Sequence, residues 1–130
     1  MSEIKDPEQS TLDPTLKSML EIEQPKDKAF IYCAVCSHVI TSPSARIDVN
    51  GSHEHTLTNP HGFQFHLGCF SQALGCSLSG APQAADSWFM GYAWTLASCA
   101  ECHSHLGWHF TSVTGENYFY GLILNAIQEE

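Results

Sequence analysis

Ser87-Trp88-Phe89-Met90-Gly91-Tyr92-Ala93-Trp94, Cys99-Ala100-Glu101-Cys102 and His105-Leu106-Gly107-Trp108-His109-Phe110 follow one another within residues 87–110. All three tryptophans of the protein lie in this run, interleaved with one half of a paired cysteine motif. The other half, Cys33-Ala34-Val35-Cys36, stands 62 residues upstream. Thiolates at C-x-x-C spacing bind a tetrahedral ion from a tight turn, and two such turns complete a four-cysteine zinc site. Each pair is followed by a Ser/His stretch and an apolar segment, Ser37-His38-Val39-Ile40 and His103-Ser104-His105-Leu106, so the halves read as related knuckles. Four thiolate ligands leave no position for a catalytic water, which makes the predicted zinc structural. Closing so long a loop, the metal clips two remote hairpins of one domain.

Three rival readings of the cysteines fit less well. Cys99-Ala100-Glu101-Cys102-His103 matches the C-x-x-C-H haem-attachment pattern, but that leaves the second pair idle and no export signal is visible. A thioredoxin-like site needs a neighbouring βαβ pattern, which is missing. Disulfides within each pair require an oxidising compartment.

Trp88 and Trp94 are six residues apart and share a face on an uninterrupted strand, although Gly91 between them is expected to bend it. Trp108 lies six residues beyond Cys102, on the strand that leaves the second knuckle. Three indoles around a metal-anchored corner suit the walls of a cage. Such walls bind a flat ring or a cation by stacking and cation-π contacts, each worth roughly 0.5–2 kcal/mol. The alternative is that all three are core.

Outward from this run, 130 residues with 43% hydrophobic content suit a single domain. Residues 1–27 carry no aromatic side chain and read as an acidic, partly disordered tail. Within it Asp13-Pro14 is a helix start, with Leu12, Leu16, Met19 and Leu20 at helical spacing. The leader shows no signal-peptide pattern, so a reducing, cytoplasmic setting is expected. No run approaches the roughly 20 apolar residues of a membrane span. A net charge of −9 argues against a nucleic-acid partner.

The domain is expected over residues 28–127. Strands are predicted at 29–32 and 45–49, a hairpin turn at Asn50-Gly51, and a return strand over 55–58. A turn at Asn59-Pro60-His61-Gly62 and a strand over 63–67 follow, then a loose connection through 69–86. Strands within 88–96, 106–113 and 118–127, with a turn at 114–117, complete a mainly β pattern. Cys69 and Cys76 read as inert thiols. His53 and His55, flanking Glu54, read as a solvated hairpin tip. The remaining histidines read as hydrogen-bonded structural residues.

Asn59-Pro60-His61-Gly62, Ser87-Trp88-Phe89-x-Gly91-Tyr92-Ala93-Trp94, Cys99-x-x-Cys102, His105-Leu106-Gly107-Trp108-x-Phe110 and Phe119-Tyr120-Gly121-Leu122-Ile123 together resemble the CULT domain family, the thalidomide-binding domain of cereblons. The resemblance covers about residues 28–127. It implies two antiparallel sheets meeting at an angle and pinned near their junction by a four-thiolate zinc on Cys33, Cys36, Cys99 and Cys102. That arrangement is shared with methionine sulfoxide reductase B and a Rab-binding zinc chaperone. It also implies a non-catalytic tri-tryptophan cage of Trp88, Trp94 and Trp108 for a glutarimide or similar cyclic imide, with uridine-like rings as weaker ligands. C-terminal cyclic imides of damaged proteins are the natural ligands the family suggests. Asp86, Ser87 and Trp88 would offer backbone groups to the imide, Asn59 and Pro60 would edge the pocket, and Phe110 would close its floor. Two positions depart from the family: Asp86 stands where it carries His, and Met90 replaces a proline. The ligase-adaptor regions of cereblons have no counterpart here, so ligase function is not carried over. Two alternatives remain, a methionine sulfoxide reductase-like enzyme using Cys69 or Cys76, and a protein-interaction zinc module whose indoles are only core.

Overall fold

In the computed structural model, which describes residues 29–129, the apolar and aromatic segments pair into nine strands. They are β1 (Ile31–Cys33), β2 (Val39–Thr41), β3 (Glu54–Thr58), β4 (Gln64–Phe70), β5 (Cys76–Gln83), β6 (Tyr92–Cys99), β7 (His105–Ser112), β8 (Tyr118–Ile123) and β9 (Ile127–Glu129). Two sheets result, a three-stranded one in the order β2-β1-β9 and a six-stranded one in the order β3-β4-β8-β7-β6-β5. Every pairing is antiparallel, in line with the β-rich expectation. The expected tail and its short helix lie outside the described residues. Among those residues no helix is long and apolar enough to cross a membrane.

Two apolar clusters cover opposite faces of the large sheet, since the consecutive residues Cys69 and Phe70 of β4, and Phe119 and Tyr120 of β8, fall in different ones. One gathers Ile31, Cys33, Ile40, Phe70, Cys99, Leu106 and Leu122 beside the small sheet. The other gathers Leu67, Phe89, Trp108, Phe110 and Phe119. The register sets Trp94 opposite Phe110 and Leu96 opposite Trp108, then Phe110 opposite Phe119. Strands β6 and β7 therefore run from the cysteines at one end to the tryptophans at the other.

Two predicted elements are corrected. Residues 45–49 keep their alternating burial but form no strand: they follow a 3-10 turn at Pro43–Ala45 and make only the isolated bridges Arg46 with Phe70 and Val49 with Ser52. The cause is competition for β4, because β3 pairs with residues 64–68 and leaves only Cys69 and Phe70 open to Ile47 and Arg46. The Asn50-Gly51 turn does form, with both residues at positive φ, 53° and 87°. Residues 69–86 are not a loose connection either. β4 continues to Phe70, and Cys76 to Ser79 pair with Leu96 to Cys99 of β6 before a bulge near Gln83. Strand β5 lies at the sheet edge and is exposed over almost its whole length, so backbone bonding rather than apolar alternation holds it.

Like Gly75, the buried Gly107 lies directly against backbone. A Cβ there would sit 2.1 Å from the Gly121 carbonyl oxygen and 2.9 Å from the Leu122 Cα, both backbone atoms that cannot swing aside. Gly107→Ala is expected to force β7 from β8 and cost about 2–3 kcal/mol, lowering Tm by roughly 10–20 °C. A thermal melt checks this, and a Tm within about 2 °C of the parent would show that the strands have slack.

Candidate metal centre and aromatic cavity

Each C-x-x-C pair closes a strand end on the same local geometry. Cys33 ends β1 and Cys99 ends β6. The Ser37 amide donates to the Cys33 carbonyl and the His103 amide to the Cys99 carbonyl, both at 2.9 Å. Ser37 and His103, each the residue after the second cysteine, take up positive φ of 67° and 65°. The expected kinship of the two knuckles therefore holds in backbone conformation.

The knuckles bring the four sulfurs of Cys33, Cys36, Cys99 and Cys102 within 4.8 Å of one another. Sγ of Cys33 is 3.7 Å from that of Cys102, and Sγ of Cys36 is 3.6 Å from that of Cys99. A tetrahedron with metal–sulfur bonds of about 2.3 Å has edges of about 3.8 Å, so this set fits one metal ion. These separations are far from a disulfide bond, and the described cysteines are all free. The Glu101 amide donates to Cys99 Sγ at 3.4 Å, and the Ser104 hydroxyl lies 3.2 Å from Cys102 Sγ and 3.6 Å from Cys33 Sγ. Burial pushes the Cys33 thiol up, but the Cys36 and Val35 backbone and the Ser104 hydroxyl outweigh it and bring it to about 6. The His38 backbone pulls Cys36 down, yet burial and the three facing sulfurs hold it at about 12. Four thiols this close cannot all ionise without a cation between them, and a divalent ion removes that conflict.

At the other end of β6 and β7, Trp88, Trp94 and Trp108 line a cavity of about 300 Å³ together with Asn59, Pro60, His61, Asp86, Leu96 and Phe110. Trp88 and Trp108 meet edge to face, centroids 4.8 Å apart at 83°, and form a corner. The Trp88 indole N–H donates to the Thr58 carbonyl at 2.9 Å and the Trp94 N–H to the Ala85 carbonyl at 2.7 Å. These bonds fix both rings with their donors engaged by backbone. Trp108 is 9% exposed and backed by Phe65 and His105, each edge-on at about 5 Å. Phe110, buried, stacks on Phe119 behind the cavity.

Most of the expected pocket residues line this cavity. Ser87, expected to offer backbone groups, is not among the lining residues, and its hydroxyl donates to the Phe89 carbonyl at 3.1 Å within its own turn. The Asn59 side-chain oxygen is likewise occupied, accepting from the His61 and Phe63 amides and fixing the turn between β3 and β4. Gly91, at φ 83°, does break the line from Trp88 to Trp94, so Trp88 sits in the loop before β6. His61 and Leu96 line the cavity without having been predicted. Leu96 was readable, since it lies two residues from Trp94 on one strand and two-residue spacing shares a face. A larger cleft of about 650 Å³ near Gln64, His66 and His105 is more open and has one aromatic wall, Phe65.

The other singled-out side chains are structural. Instead of a solvated tip, His53 and His55 are half-buried and bonded: His53 Nδ1 lies 3.1 Å from the Ile47 carbonyl, and His55 Nε2 2.9 Å from the Val49 carbonyl. Their rings pack edge-on against Phe70 and Phe89. Burial pushes the Cys69 and Cys76 thiols up to about 11 and about 12, and neither lines the cavity. His109 is held below the ordinary imidazole range by burial against Tyr120. A depressed His means that the unfolded chain binds its proton first, so its contribution is present at neutral pH and is lost as pH falls below the unfolded value, about 6.5. Stability is therefore expected to fall from pH 7 to 5 less steeply in His109→Gln than in the parent. Paired denaturant titrations check this, with equal slopes as the contrary result.

No protein-family model matches the chain. It is 42% identical over 73 residues to protein cereblon of Xenopus tropicalis, an alignment covering 54% of this chain and 16% of that protein. The cereblon of Gallus gallus is 40% identical over 72 residues, 53% of this chain and 16% of that protein. That of Drosophila simulans is 28% identical over 112 residues, 79% of this chain and 19% of that protein. The chain thus spans less than a fifth of the length of the curated relatives it matches. With the paired knuckles and the two antiparallel sheets, these local matches to the C-terminal region of cereblons relate the chain to their CULT domain family.

Proposed function

We propose that the domain is a zinc-held, non-enzymatic module that binds a small cyclic imide, or a related flat ring, between Trp88, Trp94 and Trp108. The observation that carries this reading is the cavity of about 300 Å³ lined by all three indoles, at the low end of small-ligand pockets and large enough for one ring. Zinc suits the four-thiolate set best, because a closed tetrahedral sulfur shell favours it among the common divalent ions. The metal supplies no chemistry beyond fixing the knuckles from which β1, β2, β6 and β7 extend.

An imide has an apolar back and a polar edge. The indole faces and Phe110 hold the back, while backbone groups of residues 86–88 read the edge, as the CULT resemblance implies. In a pocket of this kind a ring that leaves buried backbone groups unpaired is disfavoured by roughly 1–3 kcal/mol. The ligand class extends to a C-terminal cyclic imide on a damaged protein, since the cavity opens to solvent at exposed Pro60, His61 and Asp86. A reductase-like reading lacks support at this site: the chemistry needs a reactive thiol in the cleft, and burial keeps Cys69 and Cys76 protonated outside it.

The test is a titration of the metal-loaded protein with a glutarimide compound, followed by tryptophan fluorescence. Saturable quenching is expected. Folded protein with no change at millimolar ligand would overturn the proposal.

A further inference from the structure

The cavity has electrostatic features that a neutral imide does not require. Two of its three indoles have their only donor engaged by backbone carbonyls, Trp88 with Thr58 and Trp94 with Ala85. What these rings offer a ligand is therefore their electron-rich faces, which attract positive charge. Asp86 also lines the cavity, and it is exposed, so its carboxylate remains hydrated while facing the mouth. Its φ of 58° places it in the left-handed region, where the chain turns from β5 toward Trp88. The turn at Asp86 places this acidic residue among those lining the cavity.

The wider field has the same sign. Residues 29–129 contain one Arg or Lys, Arg46, against six Asp and Glu residues. Arg46 is ion-paired with Glu129, so it does not offset the charge at Asp86. A cleft with low-dielectric aromatic walls in a domain of one dominant charge concentrates counter-ions of opposite sign.

We propose that this cavity also takes a methylated ammonium group, held by the faces of Trp88, Trp94 and Trp108, with Asp86 as the residue that sets the preference for a cation. The inference rests on the cavity being a ligand site, as proposed above, and extends its ligands to a second chemical class. A quaternary ammonium suits the walls because it carries charge on an apolar surface and needs no hydrogen-bond partner inside. A primary ammonium is more strongly hydrated and must give up water to enter, so it binds less well.

The experiment uses the full metal-loaded chain and two probes, tetramethylammonium chloride and a neutral glutarimide, with sodium chloride as the ionic-strength control. Tryptophan fluorescence reports binding of each to the parent and to Asp86→Asn. Asparagine tolerates the left-handed conformation, so the variant retains the turn. The parent is expected to bind tetramethylammonium saturably where sodium gives no signal. In Asp86→Asn the ratio of cation to imide affinity is expected to fall by about three- to tenfold, the range for one solvated charge near a bound ion. An unchanged ratio, or glutarimide binding with no response to tetramethylammonium at tens of millimolar, would overturn the inference while leaving the imide reading intact. Saturable tetramethylammonium binding without a glutarimide response would overturn the imide reading alone.

Discussion

Cys36→Ser is expected to abolish stoichiometric metal binding and to lower Tm by roughly 15 °C, although the side chain it removes is exposed. The exposure makes the test sharp. Where no metal is bound, replacing an exposed cysteine by its oxygen isostere changes stability by no more than about 0.5 kcal/mol. With a metal shared among four thiolates, the loss of one ligand weakens the clip between strands far apart in sequence. A cost of about 3 kcal/mol is then a modest fraction of the binding energy of a structural zinc, and it converts to the Tm shift above. Metal analysis and a thermal melt read both effects. Chelation of the parent is expected to give a similar loss, since it removes the same link. A Tm within about 2 °C of the parent would mean that the four sulfurs are neighbours without a load-sharing ion.

Trp94→Ala gives the second large effect, a loss of glutarimide affinity of roughly 30- to 100-fold. The ring is half-buried, lines the cavity and holds the Ala85 carbonyl through its N–H, so truncation removes a wall and releases the loop beside it. Trp94→Phe separates these contributions, since it keeps a stacking face and loses the donor. An intermediate affinity is expected, with the remaining deficit reporting the bond to Ala85. Calorimetric titration measures both variants, and a melt establishes that each is folded. Parent-like affinity in Trp94→Ala would show that the third indole is core.

The four-cysteine cluster was legible in the sequence because thiolate chemistry imposes its spacing locally: two C-x-x-C turns with matching Ser/His sequels need no knowledge of the fold. The proximity of Trp94 and Trp108 was legible because they precede and follow the second knuckle by five and six residues, and Trp88 lies six residues before Trp94. The strand at 45–49 failed for a reason beyond its own sequence. Its alternation is real, but β3 already occupies most of the β4 edge that it would join. Strand β5 was missed for the opposite reason, because an exposed edge strand bonds through its backbone and carries no apolar period. His53 and His55 were misplaced because their partners, the Ile47 and Val49 carbonyls, belong to that same irregular segment.

The most direct test of a metal-held, ring-sized hollow between three indoles is the amide and indole spectrum of the 15N-labelled, metal-loaded protein during a glutarimide titration. The chain has three tryptophans and therefore three indole N–H resonances. All three are expected to shift along a single binding curve. A well-dispersed spectrum in which none of them moves at millimolar glutarimide would contradict the account.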